Sequence, residues 1–306
     1  MKRFTIAKSS FARRAMVVAI AAACAGGALS AQRSEVPTSH QHRPALVRHA
    51  HADGSADSTN WSGYAVSAAN GAVTSVTGSW VIPAATCSEA GGSTAYASFW
   101  VGIDGWNSNS VEQTGTDSDC SSGTPQYYAW YEFYPSPAYY AGRLTSLSPG
   151  DVMSATVSYA NGTFTATIKD VTKNESYTAT FTPPAASRRY TPPARSSAEW
   201  IAEAPCCTSR GGILPLAEFG TVSLGEDYTA PSVSTGTNYA TISGISAPIG
   251  SFGTTSATTV WSSTMINENT PPSEETNPPA ADLMAVPSAL TTDGSSFQVV
   301  WKSVGP

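Results

Sequence analysis

The stretch Ser98–Asp117 carries two indoles, a carboxylate and a carboxamide, at Trp100, Trp106, Asp104 and Gln113. It reads as an apolar strand, a turn at Asp104-Gly105 and a second short strand, so pairing of the two would gather those groups in one place. Further carboxylates on strand-like text are Glu112, Glu132, Glu199, Glu203 and Glu218. In Ser197–Glu203 the period of two puts Glu199, Ile201 and Glu203 on one face and Ala198, Trp200 and Ala202 on the other. Tyr128, Trp130 and Glu132 share a face in the same way. A carboxylate without a partner is costly to bury on an aromatic strand, so these faces are either solvated or line a groove.

What the chain lacks narrows the chemistry. All four histidines, His40, His42, His49 and His51, precede Asn60. The part from Asn60 onward therefore cannot run a Ser-His-Asp or Cys-His mechanism or a histidine-liganded zinc hydrolysis. It has no Gly-x-Ser-x-Gly elbow, no Asp-Thr-Gly or Asp-Ser-Gly triplet and no phosphate-cradling glycine loop. Acid and base must come from Asp, Glu, Tyr or the amides, and no metal or cofactor is called for. From Asn60 there are 8 Lys or Arg against 19 Asp or Glu, which speaks against nucleic acid as a partner. Scarcity of lysine leaves little positive charge to push a fold apart once carboxylates are neutralised, which suits an acid environment.

The elements that would hold such groups are strands. Charged residues make up only 12% of the 306 residues, and Ser, Thr, Gly, Ala and aromatics take their place. Runs rich in Val, Thr, Tyr, Phe and Trp, separated by Gly, Pro and Asn, predict strands over 64–68, 73–81, 96–103, 126–134, 152–159, 163–170, 176–181, 198–202, 216–223, 239–242 and 296–301. Asn161-Gly162 supplies the positive-φ pair of a tight hairpin between two of them. The fold class is all-β, a β-sandwich of two stacked antiparallel sheets of jelly-roll or concanavalin-like form. The stretch 267–281 reads as a low-complexity loop.

Residues 1–31 read as an export signal: Lys2, Arg3, Lys8, Arg13 and Arg14 precede an apolar run to Leu29 that ends in small residues. Residues 32–59 lack hydrophobic periodicity and read as a disordered leader, or a removable prosegment whose arginines and histidines could lie on an acidic surface. Residues 60–306 form the folded domain. No later stretch is long and apolar enough to span a bilayer, so the expected product is secreted, monomeric and free of the membrane. Export leaves Cys87, Cys120, Cys206 and Cys207 in an oxidising compartment. Cys87 with Cys120 would staple the ends of the Ser98–Asp117 stretch, while Cys206 and Cys207 form a vicinal bridge or stay unpaired.

Several blocks carry a resemblance. Asn60-Trp61-Ser62-Gly63-Tyr64, Gly78-Ser79-Trp80-Val81-Ile82-Pro83, Trp100-Val101-Gly102-Ile103-Asp104-Gly105, Glu112-Gln113-Thr114-Gly115, Tyr128 to Pro135 and Ala198-Glu199-Trp200-Ile201 resemble, in order, the blocks of the glutamic peptidases, or eqolisins. The resemblance implies a secreted acid endopeptidase made as a proenzyme and acting on proteins or peptides. Carried over by position, it implies Gln113 and Glu199 as the catalytic pair, with Trp61, Trp100, Asp104, Trp130 and Glu132 lining or supporting the cleft. Tyr128 departs from the fungal pattern, where an acidic residue is expected, and the 267–281 loop looks longer than theirs. The other reading of an aromatic-rich secreted sandwich is a lectin or a glycoside hydrolase. The latter would need two carboxylates facing each other, such as Glu199 and Glu132, roughly 5 to 9 Å apart.

Overall fold

The alternation in Val152–Ala160 and Thr163–Asp170 is realised in the computed structural model as two paired strands, each burying every second residue. Asn161 and Gly162 take φ of 51° and 81° between them, as the turn requires. The structure describes residues 37–51, 54–88, 94–142, 144, 146–188, 190–206, 212–226, 237–253, 257–263 and 283–304. Among these the strands are β1 (Val47–Ala50), β2 (Ala56–Ser58), β3 (Trp61–Ser67), β4 (Val73–Val81), β5 (Ser98–Ile103), β6 (Val111–Ser121), β7 (Thr124–Tyr134), β8 (Tyr139–Tyr140) and β9 (Val152–Ala160). They continue as β10 (Thr163–Asp170), β11 (Glu175–Phe181), β12 (Ser197–Glu203), β13 (Thr221–Leu224), β14 (Tyr239–Ile242), β15 (Ile245–Pro248), β16 (Ala257–Ser263), β17 (Leu283–Pro287) and β18 (Phe297–Trp301). The expected 267–281 loop lies outside the described residues.

Two antiparallel sheets stack. One runs β16–β3–β12–β5–β6–β7–β8, with β2 joined parallel to β16 and β1 paired to β2. The other runs β11–β10–β9–β4–β14–β15. Strands β13, β18 and β17 pair in turn and bridge from β4 to β16. Between the sheets lies the main apolar core, which includes Trp80, Phe99, Val101, Met153, Phe164, Ile168 and Trp200. Two indole N–H groups cross it and donate to the facing sheet: Trp80 to Thr116 Oγ1 at 2.8 Å and Trp200 to the Thr77 carbonyl at 2.8 Å. A buried indole must find such an acceptor, so these bonds fix the sheets' relative register as well as stabilising them. Gly78 permits the approach, because a Cβ there would stand 2.8 Å from Val101 and 3.0 Å from Trp200.

Cys87 and Cys120 are bonded, with Cα atoms 5.5 Å apart and a sequence separation of 33. Cys206 is also in a disulfide, and Cys207 lies outside the described residues. The Cys87–Cys120 link closes a loop that contains β5 and most of β6, so it restricts the unfolded chain. Replacing both cysteines by serine is expected to cost about 3 to 4 kcal/mol by the loop-entropy relation. Urea unfolding at constant pH checks this: the midpoint should fall, and the slope should rise as the released unfolded chain exposes more surface.

Candidate active site

Strand register sets one row of side chains straight across the first sheet. Ala65 of β3 pairs with Glu199 of β12, Glu199 with Gly102 of β5, Gly102 with Gln113 of β6, and Gln113 with Glu132 of β7. Neighbouring strands lie about 4.8 Å apart, so Glu199 and Gln113 are separated by roughly 10 Å of backbone with no side chain between. Glycine is required there, since a Cβ on Gly102 would meet the Trp100 ring at 2.9 Å and Gln113 Cβ at 3.2 Å. The next row on the same face is Gly63, Ile201, Trp100, Gly115 and Trp130, followed by Trp61, Glu203, Ser98, Asp117 and Tyr128. Trp61, Ala65, Trp100, Val111, Trp130 and Ile201 form a second apolar cluster on this outer face, with the Trp61 and Trp100 rings edge to face at 4.8 Å.

The indoles are held by carboxylates of the same face. Trp100 Nε1 donates to Glu203 Oε2 at 2.8 Å, and Trp130 Nε1 donates to Asp117 Oδ1 at 2.6 Å. Gln113 Nε2 donates to Glu132 Oε2 at 3.1 Å, which fixes the carboxamide. Asp104 sits elsewhere. Its carboxylate accepts from the backbone N–H groups of Arg195 and Ser196 at 2.6 and 2.8 Å and from the Ser196 hydroxyl at 3.2 Å. It thus anchors the entry to β12 and, through it, the position of Glu199. Of the residues singled out in the sequence, Gln113, Glu199, Trp61, Trp100, Trp130 and Glu132 share the cleft face, and Asp104 supports it from the turn.

The outer face is covered by the chain itself. The leader that composition marks as structureless is ordered over 37–51, because its backbone finds partners far away in sequence. Thr38 N–H donates to the Ala138 carbonyl at 2.9 Å, and Gln41 exchanges backbone bonds with Cys206 at 2.6 and 2.9 Å. His42 N–H donates to Glu132 Oε2 at 2.9 Å, and Arg43 N–H to Glu203 Oε1 at 3.2 Å. Trp61 Nε1 donates to the Arg43 carbonyl at 3.0 Å, and Ala45 N–H to the Gly105 carbonyl at 3.0 Å. The His42 imidazole lies flat on Trp130, centroids 3.5 Å apart and planes within 4°. Gln113 Nε2 donates to the His42 carbonyl at 2.7 Å. Hence β6 and β12, unlike β9, are buried on both faces.

Burial dominates the titration of this face. It pushes Glu199 well above the ordinary carboxylate range, with the Ser197 hydroxyl working in the other direction. Glu132 rises through burial although the His42 N–H and Gln113 amide favour its anion, and Glu203 rises through burial reinforced by Glu132. For His40, burial lowers the pKa, but the charge of Asp117 and a 2.6 Å bond to its Oδ2 outweigh it and raise the value. Burial brings His42 down to about 3. Sequence reasoning missed Asp117 as a floor residue, although its spacing of two from Gly115 and four from Gln113 places it on their face.

Glu112, next to Gln113, points the other way. It is fully buried, and burial followed by the charge of Asp104 raises its pKa well above the usual value, against the Ser110 hydroxyl, which favours the anion. Asp104, Glu199 and Tyr190 are the titratable groups that interact with it. A raised folded pKa contributes stability that is full below the unfolded value of about 4.3 and lost as pH rises through the folded value. Glu112→Gln should therefore melt at a temperature that falls less than the wild type's between pH 4 and pH 7.5, a range spanning about three units above that reference. Parallel pH slopes in thermal unfolding would show that Glu112 does not titrate there.

The sequence pattern of the peptidase A4 family matches residues 59–269. The chain is similar to aspergillopepsin-2 of Aspergillus niger, 33% identical over 184 residues that cover 54% of this chain and 62% of that protein. It is similar to scytalidopepsin B of Scytalidium lignicola, 31% identical over 149 residues, covering 48% of this chain and 54% of that one. The matched part thus spans about half to six tenths of the length of these relatives. A crystal structure of scytalido-glutamic peptidase with a transition state analog inhibitor aligns at a TM-score of 0.58 and 23% identity, over 80% of this chain and 98% of that one. That likeness is one of fold, a β-sandwich of two stacked antiparallel sheets.

Proposed function

The chain belongs to the peptidase A4 family, the glutamic peptidases, and from that premise we propose that it is a secreted endopeptidase that cuts proteins in acid with Glu199 and Gln113 as its catalytic pair. The observation that carries the assignment of residues is the 2.7 Å bond from Gln113 Nε2 to the His42 carbonyl, a peptide carbonyl of a segment laid along the cleft. A substrate carbonyl in that position would have its oxygen polarised by the carboxamide. Glu199 faces the same slot across Gly102.

In this scheme Glu199, ionised, takes a proton from a water held between it and Gln113, and the water oxygen attacks the carbonyl carbon. The amide N–H of Gln113 stabilises the oxyanion that forms, a contribution of about 3 kcal/mol per donor in comparable sites. Glu199, now a carboxylic acid, returns the proton to the departing nitrogen as the C–N bond breaks. A carboxamide does not titrate, so the donor persists in acid. Once the cleft is open to water, Glu199 loses much of the burial that raises it and can cycle near the ordinary carboxylate value of about 4.3. Trp61, Trp100, Trp130 and Glu132 would then contact substrate, the indoles through stacking and Glu132 through a backbone N–H, as it does at His42. Export rests on the pattern of residues 1–31.

The register argues against sugar hydrolysis, because the residue across the slot from Glu199 is a carboxamide and Glu132 lies one strand further on. The test is digestion of an unfolded protein by the matured chain, with products identified by mass spectrometry. Cleavage is expected below about pH 5, where a carboxyl of ordinary pKa can hold and release a proton. Absence of cleavage at any acid pH, or hydrolysis of glycans instead, would overturn the reading.

A further inference from the structure

The cleft holds a cluster that peptide hydrolysis does not use. His40 and His42, two residues apart on the extended leader, stand over Asp117 of β6, and one ligand atom from each lies within 4.8 Å of the others, all three residues buried. We propose that these three side chains form a binding site for a borderline divalent cation of the zinc type, which joins the leader to the body of the protein.

Ligand chemistry favours the assignment. Two imidazoles and one carboxylate are donors that zinc takes in sites with one position left for water. His42 is fully buried and neither of its ring nitrogens has a hydrogen-bond partner, with Glu203 Oε2 3.6 Å from Nδ1. A buried imidazole in that state has lost its water without replacement, and a cation would restore the missing interaction. The groups that orient metal ligands are also in place. Ser39 Oγ lies 3.1 Å from His40 Nδ1, so that nitrogen can carry the hydrogen and leave Nε2 for the metal. Trp130 Nε1 holds Asp117 Oδ1 at 2.6 Å, leaving Oδ2 toward the histidines, and the Trp130 face holds the His42 ring. The His40–Asp117 contact of 2.6 Å must open as the ion enters, because two ligands about 2.1 Å from one metal stand roughly 3 Å or more apart.

The site exists only while the leader lies in the cleft, so the cation would add its binding free energy to leader retention. It does not depend on the peptidase reading: the readouts below measure binding and ligand identity, and would stand unchanged if Glu199 and Gln113 proved inert.

The experiment uses the leader-bearing protein at neutral pH, freed of metal by a chelator and titrated with zinc chloride in a calorimeter. One equivalent should bind, and the melting temperature should rise with added zinc. X-ray absorption at the zinc edge of the unmodified protein should count two imidazole ligands. His40→Ala and His42→Phe should each weaken binding by about 100-fold, and Ser39→Ala by about 10-fold, as loss of a ligand and of an orienting group predict. Phenylalanine keeps the stack on Trp130, so the leader stays in place. Removal of residues 37–46 should abolish binding. No saturable binding, fewer than two imidazoles at the metal, or affinity unchanged in both histidine variants would overturn the site.

Discussion

Glu199→Gln is expected to lower protein hydrolysis in acid by at least ~100-fold while leaving the fold intact, and Gln113→Ala to do the same. The first change keeps the shape of a fully buried side chain and removes only its capacity to take and return a proton. It should not unfold the sandwich, because the amide keeps the carboxylate's shape and its oxygen can still accept from the Ser197 hydroxyl. The second removes the N–H that points at the carbonyl site and leaves Glu132 with its remaining donor, the His42 amide, in the leader-bound form. Steady-state rates on an unfolded substrate, with circular dichroism on each variant, check both. Losses in kcat with KM little changed mark interactions made in the transition state. A folded variant of either residue with near-full activity would remove that residue from the scheme.

The sandwich was legible wherever one face of a strand meets core and the other meets water. β9 and β10 alternate for that reason, and Asn161-Gly162 closes them. The faces of β12 were legible too, because a period of two fixes which residues travel with Glu199 whatever covers them. β6 was read too short. Its inward residues Thr114, Thr116 and Ser118 are polar, and they are buried because each meets a partner: the Trp130 carbonyl at 2.6 Å, the Trp80 indole at 2.8 Å and the Pro83 carbonyl at 3.1 Å. Outward, Gln113 and Asp117 are polar as well and meet the leader at the His42 carbonyl and the His40 ring. A strand polar on both sides offers no alternation to read. β1, β2, β16 and β17 escaped as well: β1, β2 and β17 are short, and β16, paired with β2, β3 and β17, joins the leader to the far end of the chain.

The proposed pair became visible only through the resemblance of whole blocks. Residue chemistry alone left Glu199 and Glu132 as candidates for one groove, and no local pattern says that Gly102 would clear a slot between Glu199 and Gln113. The leader was the larger miss. Its order comes from Glu132, Glu203, Cys206 and Gly105, 60 or more positions away in sequence, and composition cannot report on such partners.

On the proposed peptidase reading, deleting residues 37–46 should release activity, and a synthetic peptide of that sequence should inhibit the shortened protein when added back. The leader places the His42 carbonyl on Gln113, the His42 ring on Trp130, and the His42 and Arg43 amides on Glu132 and Glu203, so it occupies Gln113, Trp130 and Glu132, which the proposed scheme gives to substrate. Binding of the peptide should be competitive with substrate for that reason. The stack is the contact most open to test. His42→Gly in the peptide removes a flat ring 3.5 Å from the indole while keeping both backbone bonds. Stacking plus the lost apolar contact is worth about 1 to 2 kcal/mol, so inhibition should weaken roughly 10-fold. With divalent cations removed by a chelator, His42→Phe keeps a planar ring on Trp130 and should restore most of the affinity, which a general effect of chain flexibility would not. Should the shortened protein remain inactive, or the peptide fail to compete, the leader's place in the cleft would not be what holds the protein latent.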